Sequence, residues 1–298
     1  MSKFINPFTD VGFKRIFGQD FSKPLLLHFL NNLLVGERQI VDLTLKDKEQ
    51  TAVYYGDRSP VYDVYCQTDT GEEIIVEMQN REQPHFRERT LYYVSESIMR
   101  QGERGTDWNY DVKAVYLVAF INYWMDGLKP VFRTDVGLTD LHTGELFSDR
   151  MRIVYLQLPC FNKEPDECEN DFDRWIYVLK NMETLNRLPW AAQNSVFQRL
   201  AEIAEVSAMT KEERVKYDYA LKKYRDTLNA MQGAELKGEA KGRAEGRAEG
   251  RAEGRAEGRA EGRAEERLAN ARRMKAKGYG VADISEITGL SVEDIRSL

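Results

Sequence analysis

Val61-Tyr-Asp-Val-Tyr-Cys-Gln-Thr-Asp-Thr-Gly-Glu-Glu-Ile-Ile-Val-Glu-Met-Gln79 is the stretch on which the reading of this chain turns. Thr68-Asp-Thr-Gly71 is a turn signal between two strand-like runs, which predicts an antiparallel hairpin. Strand side chains alternate between faces. One face then carries Tyr62, Val64 and Cys66 with Ile74, Val76 and Met78, an apolar set suited to a core. The other carries Val61, Asp63, Tyr65 and Gln67 with Glu73, Ile75, Glu77 and Gln79. A turn centred on Thr70 pairs Gln67 with Glu73, Tyr65 with Ile75 and Asp63 with Glu77. Facing residues have Cβ atoms about 4.5–5.5 Å apart, and two carboxylates that close destabilise a sheet unless positive charge lies between them. A hard divalent cation, held by carboxylate oxygens, a carbonyl and water, meets that need, and Mg²⁺ is the usual candidate. A slip of one residue would send Glu77 to the other face. The competing reading is a polar strand face turned to solvent, with Asp63 bonded to a nearby hydroxyl.

Outward from the hairpin, Gln39–Leu45 reads as a preceding strand and the segment from Pro84 to Gln101 as a following helix. Val112–Ile121 is apolar on both faces, as a central buried strand would be. Pro130–Thr134 and Met151–Leu158 are further strand candidates, and Leu25–Leu34 is an apolar-rich helix. From Asp171 to Met231 the pattern is helical, broken at Leu188-Pro-Trp190. Strands followed by a helical cluster predict an α/β core with a helical extension.

Near residue 233 the composition changes. Gly-Arg-Ala-Glu is copied six times from Gly242 to Glu265, and residues 233–298 hold 11 of the 21 glycines. Within the repeat, Arg and Glu are never three or four positions apart, whereas each meets its own kind at i+4. Each glycine costs about 1 kcal/mol relative to alanine in a helix, and no apolar stripe offsets it. A solvated, fluctuating linker is expected, although the alanines and charges lean helical. After it, a helix from Glu266 to Lys277 stops at Gly278, and Val281, Ile284 and Ile287 give a second short apolar face. Ser291 and Asp294 are spaced as a capping box for a last helix. This helix-turn-helix outline suits DNA contact or assembly.

The 298 residues are 42% apolar and 11% aromatic, enough for a sizeable core. A formal net charge of -6 gives no global field for polyanions, so any nucleic-acid contact is local. Cys66, Cys160 and Cys168 form no CxxC and fit a reducing compartment. The opening MSKFINPFTD has no signal-peptide core, and no run approaches the roughly 20 apolar residues of a membrane span. A soluble, cytoplasmic protein without membrane contact is expected. No Walker loop or Gly-x-Ser-x-Gly occurs. His28, His85 and His142 are scattered without ligand spacing. Arg81, Arg87, Arg89, Arg100 and Arg104 could meet phosphates, but Glu82, Glu88, Glu96 and Glu103 interleave with them.

At the hairpin carboxylates the sequence resembles the PD-(D/E)XK nuclease superfamily, in which an Asp on one strand and an (Asp/Glu)-x-Lys on the next bind Mg²⁺. More closely it resembles the recombination-promoting nuclease and transposase branch, the Rpn family. That likeness runs through Thr9-Asp-Val-Gly-Phe-Lys-Arg-Ile-Phe-Gly18, His28-Phe-Leu-Asn-Asn-Leu-Leu34, Asp63, Glu77-Met-Gln79, Arg89-x-x-x-Tyr93 and Tyr110. The resemblance implies a restriction-endonuclease-like α/β core, a mixed sheet flanked by helices, over residues 1–160. A helical extension (161–232), the repeat linker (233–265) and the helical tail (266–298) follow. It also implies Asp63 and Glu77 as metal ligands, the Met78 carbonyl as a third, and Asp10 and Lys14 as site support on the first helix. Arg89 and Tyr93, one helical turn apart, would contact substrate or support the site. Gln79 stands where the superfamily has lysine, and the superfamily's proline is at position 60 rather than immediately before Asp63.

The reading is therefore a Mg²⁺-dependent DNA endonuclease, with Mn²⁺ able to substitute, in which Asp63, Glu77 and Gln79 are catalytic. The resemblance links it to recombination or mobile elements, and the tail suggests a homo-oligomer. The alternative is a nuclease fold retained as a DNA-binding or oligomerising module with weak or no catalysis.

Overall fold

The structure, a computed structural model, describes residues 2–47, 49, 61–102 and 109–298. It divides into two compact units, Met1–Arg225 and Asp226–Leu298.

The first unit is built on a six-stranded mixed sheet. Its strands are β1 (Leu43–Leu45), β2 (Val64–Thr68), β3 (Glu73–Gln79), β4 (Val115–Ile121), β5 (Arg133–Thr139) and β6 (Leu146–Gln157), in the order β1-β2-β3-β4-β6-β5. β3, β4 and β6 run parallel, while β1, β2 and β5 pair antiparallel to their neighbours. Helix α3 (Phe86–Arg100) connects β3 to β4, the crossover that a parallel pair requires. All seven residues of β4 are buried, as its two apolar faces predict.

Period-two alternation divides the core between the faces. Val64, Cys66, Ile74, Val76, Tyr116, Val118 and Phe120 pack on one side with α1 (Asp10–Phe17), α2 (Lys23–Leu33), α4 (Asp171–Asn181) and α5 (Ser195–Ala204). Phe120 sits at the centre of that layer, its ring 5.3 Å from Phe29 and 5.6 Å from Phe13. On the other side Tyr65, Ile75, Leu117, Ala119 and Ile153 pack under α3 with Phe86 and Val94. Tyr62 belongs to this second layer rather than with Val64 and Cys66, because the strand begins only at Val64 and the chain bends at Asp63.

β2 and β4 start three residues later than expected, at Val64 and Val115, and β5 runs on to Thr139; β1, β5 and β6 also start elsewhere than expected. β1 starts at Leu43 rather than Gln39 because the Asn31 side chain holds both the N–H and the C=O of Ile40. β5 starts at Arg133 because the Gln157 amide donates to the carbonyls of Lys129 and Val131. β6 begins five residues before Met151, pairing with the second half of β5 as an arm past the end of β4.

The repeat lies within α6 (Lys211–Ala276) and is helical. Every residue from 242 to 265 is exposed, and the ion pairs Lys241–Glu245 and Glu239–Arg243 each use one residue that precedes the repeat. Alanine and the long charged side chains are strong helix formers, and that intrinsic propensity is the one force the sequence offers against the glycines. In the second unit Ala271, Ile284 and Ile295 make a small core, with Ile284 on α7 (Val281–Thr288) and Ile295 on α8 (Val292–Ser297). Ile287 is exposed, and Thr288 takes the inward position instead, donating to the Ile284 carbonyl. Ser291 caps α8, accepting from Asp294 N–H at 3.1 Å, and its hydroxyl donates to the Asp294 carboxylate.

Candidate active site

The hairpin register is the one the turn predicts: Gln67 faces Glu73 and Tyr65 faces Ile75, with the ladder ending at Val64↔Val76. One step further, the carboxylate of Asp63 replaces the backbone. Its Oδ2 accepts from Met78 N–H at 2.8 Å, the bond a continued ladder would have given to the Tyr62 carbonyl. Asp63 N–H points back to Glu77 Oε1 at 3.4 Å, and Gln79 Nε2 to Glu77 Oε2 at 3.4 Å. Asp63, Glu77 and Gln79 are therefore brought together at the C-terminal end of β3. By strand geometry the Met78 carbonyl faces the same edge as its N–H.

This polar face is buried at Glu77 and Gln79 and partly open at Asp63. Glu77 is 4% exposed and Gln79 is 8% exposed, because α3 covers them. Burial first, and the Asp63 charge second, push Glu77 up to about 8, while Arg89 and the two long hydrogen bonds oppose that rise. Two oxygens with only 3.4 Å contacts, facing a second carboxylate, are a donor set short of positive charge. Two carboxylates and a carbonyl match a hard divalent cation and lack the soft or imidazole ligands of a zinc site. Among the described residues no group of three or more His, Cys, Asp or Glu side chains gathers, so a cation here would complete its shell with water.

From α3, Arg89 and Tyr93 face the same place. The Arg89 guanidinium lies over the Phe86 ring at 4.9 Å and the Tyr93 ring at 6.0 Å, and its Nη1 donates to Gln83 Oε1 at 2.5 Å. Among the described residues its buried Nε–H has no hydrogen-bond partner. Tyr93 packs edge-on against Tyr62 at 5.0 Å, and burial followed by the Glu77 charge pushes its hydroxyl up. Sequence pattern does not point to Gln83 or Tyr62: Gln83 lies in a loop with no pattern of its own, and alternation puts Tyr62 on the opposite face.

Asp10 and Lys14 pair with each other on α1. They line a cavity of about 240 Å³ with Arg15, Gln19, Glu213 and Lys216, and that lining does not include Asp63, Glu77 or Gln79. His28 is a packing residue: it accepts from Trp175 Nε1 at 2.9 Å, and burial pushes it down despite Asp171. Arg100 is paired with the buried Glu96, while Arg81 and Arg87 are exposed. Pro60, Glu103 and Arg104 lie outside the described residues.

Compared with known proteins, residues 7–234 match a family described as PD-(D/E)XK nuclease family transposase. That match, together with the mixed sheet and its flanking helices, bears out the resemblance and the fold read from the motifs. No curated protein and no solved structure matches the chain.

Proposed function

The chain belongs to the PD-(D/E)XK nuclease family transposases, and from that premise we propose that it is a Mg²⁺-dependent DNA endonuclease, with Mn²⁺ able to substitute. The observation that carries this reading is the buried Glu77 carboxylate set beside Asp63 at the end of β3. Asp63, Glu77 and the Met78 carbonyl would hold the cation. When bound, it would acidify a water and offset the charge that builds on the phosphate. Glu77, pushed up to about 8, would have to give up its proton to serve as a fully charged ligand. Gln79, next to Glu77, orients the attacking water by hydrogen bonds. Water adds to phosphorus and loses a proton to solvent as the bond to the leaving sugar oxygen breaks, and that oxygen takes up a proton from solvent. Arg89 brings a cation and a buried, unsatisfied N–H toward the phosphate, with Tyr93 packed beside it.

A neutral amide at position 79 cannot supply the positive charge that lysine gives in the wider superfamily, so turnover is expected to be slow. Asp10 and Lys14 match the family positions for support from α1, but they pair with each other there, and no part in the step is assigned to them. The link to mobile elements comes from the family, and assembly through the tail is a further part of the proposal.

Plasmid nicking by pure protein with Mg²⁺ or Mn²⁺, beside Glu77→Ala prepared identically, tests the reading. Cleavage that disappears in the variant and in EDTA is the expected result. Equal cleavage by both proteins would place the activity elsewhere. Intact DNA binding without cleavage by either protein would favour the Gln79-compromised, non-catalytic module.

A further inference from the structure

Among the described residues β5 is an edge strand, and the hairpin arm it forms with β6 leaves large apolar side chains exposed among Asp140, Glu145, Asp149 and Arg150. Phe147 is 81%, Leu141 94% and Leu146 64% exposed, with Leu138 and Val136 also exposed. Apolar side chains clustered on one projecting hairpin mark an interaction surface. We propose that this surface is occupied by a second copy of the chain, joined edge to edge through antiparallel β5 strands about a two-fold axis at Val136.

The backbone sets which registers are open. Gln157 N–H donates to the Phe132 carbonyl, so alternate residues of β5 bond to β6 and Arg133, Asp135 and Gly137 turn their N–H and C=O outward. A two-fold pairing must join these outward residues to one another. A register centred on Asp135 would set two aspartates face to face and is disfavoured. Centring on Val136, the midpoint of β5, removes that clash and overlaps the whole strand, whereas centring on Thr134 would overlap only Arg133–Asp135. Asp135 then faces Gly137 of the copy, Thr134 faces Leu138, and Val136 meets Val136. Arg133 faces Thr139 just past the bulge. No charged residue opposes a like charge. The stretch Arg133–Gly137 is regular, because the register shifts that would blunt the edge lie beyond it, between Gly137 and Thr139. Each arm then runs past the start of the copy's β5, where Val131 is also exposed. Leu141 at the tip thus comes beside Val131 of the copy.

Sedimentation of the full chain over a concentration series should show a dimer, and Leu138→Lys with Phe147→Lys should raise its dissociation constant by about tenfold or more. Both residues are exposed, so thermal melts of the variant should match the wild type. A non-hydrogen-bonded antiparallel pair is close enough for a disulfide. In a Cys160→Ser background, Val136→Cys should therefore form a covalent dimer on oxidation. A monomeric wild type would overturn the proposal. So would a dimer that the arm substitutions leave unchanged, which would belong to another surface such as the tail. Cross-linking at Thr134→Cys without cross-linking at Val136→Cys would overturn the register.

Discussion

Glu77→Gln exchanges a buried carboxylate for a buried amide of the same shape and isolates the charge of the candidate site. In the folded chain Glu77 is pushed up from 4.5 to about 8, first by burial and then by Asp63. The folded chain therefore holds this proton more tightly than the unfolded one. The stabilisation is fully present below about pH 4.5 and is lost as pH rises through about 8. That interval, at about 1.4 kcal/mol per pH unit, sets an upper limit of about 5 kcal/mol. Side-chain relaxation and water entry lower it, and about 2–3 kcal/mol is expected. Glutamine carries no proton to lose. Urea unfolding in EDTA at about pH 5, 7 and 9 should show the two proteins nearly equal at the lowest pH and the variant more stable at the highest. Excess Mg²⁺ should then stabilise the wild type alone, by about 2.7 kcal/mol at a hundredfold excess over its dissociation constant. Parallel pH profiles in EDTA would refute the claim that Glu77 is buried beside a like charge.

Gln79→Ala should slow DNA cleavage by about tenfold or more, since it removes the donor assigned to the water, and single-turnover rates would show this. Lys14→Ala should change those rates by no more than about twofold, because Lys14 is tied to Asp10; a tenfold loss would show that the lysine is recruited to the reaction. Phe120→Ala should destabilise the first unit by about 3–5 kcal/mol in denaturant titration, since its ring is the meeting point of Phe13, Phe17 and Phe29. Ser291→Ala should cost about 1 kcal/mol, read as faster amide exchange in α8 with no change in the sheet.

Much of the candidate site's geometry is legible because it is local. The turn at Thr70 and the alternation of the two runs determine that Asp63 and Glu77 share a face, and the register agrees. The spacing of Arg89 and Tyr93 placed them on one helix face, and both point to the carboxylates. Alternation failed at Tyr62, where the chain leaves the strand and the aromatic ring turns over to Tyr65 and Tyr93. It failed again at Gln39 and Pro130, where side-chain amides from Asn31 and Gln157 satisfied the backbone in place of a neighbouring strand. Such substitutions depend on residues distant in sequence and leave no periodic trace.

By itself the sequence determined the hairpin, the doubly buried β4, the cap of the last helix and the paired carboxylates, since each follows from side-chain period or turn chemistry over a few residues. The tertiary structure alone decided that Glu77 and Gln79 are covered rather than wet, because α3 packs back over them as the crossover from β3 to β4. It also decided that β5 ends the sheet, leaving its outer edge and the apolar arm beyond β4 exposed. Whether a strand face or edge meets water is settled by which element lies against it, and that depends on contacts across the whole chain.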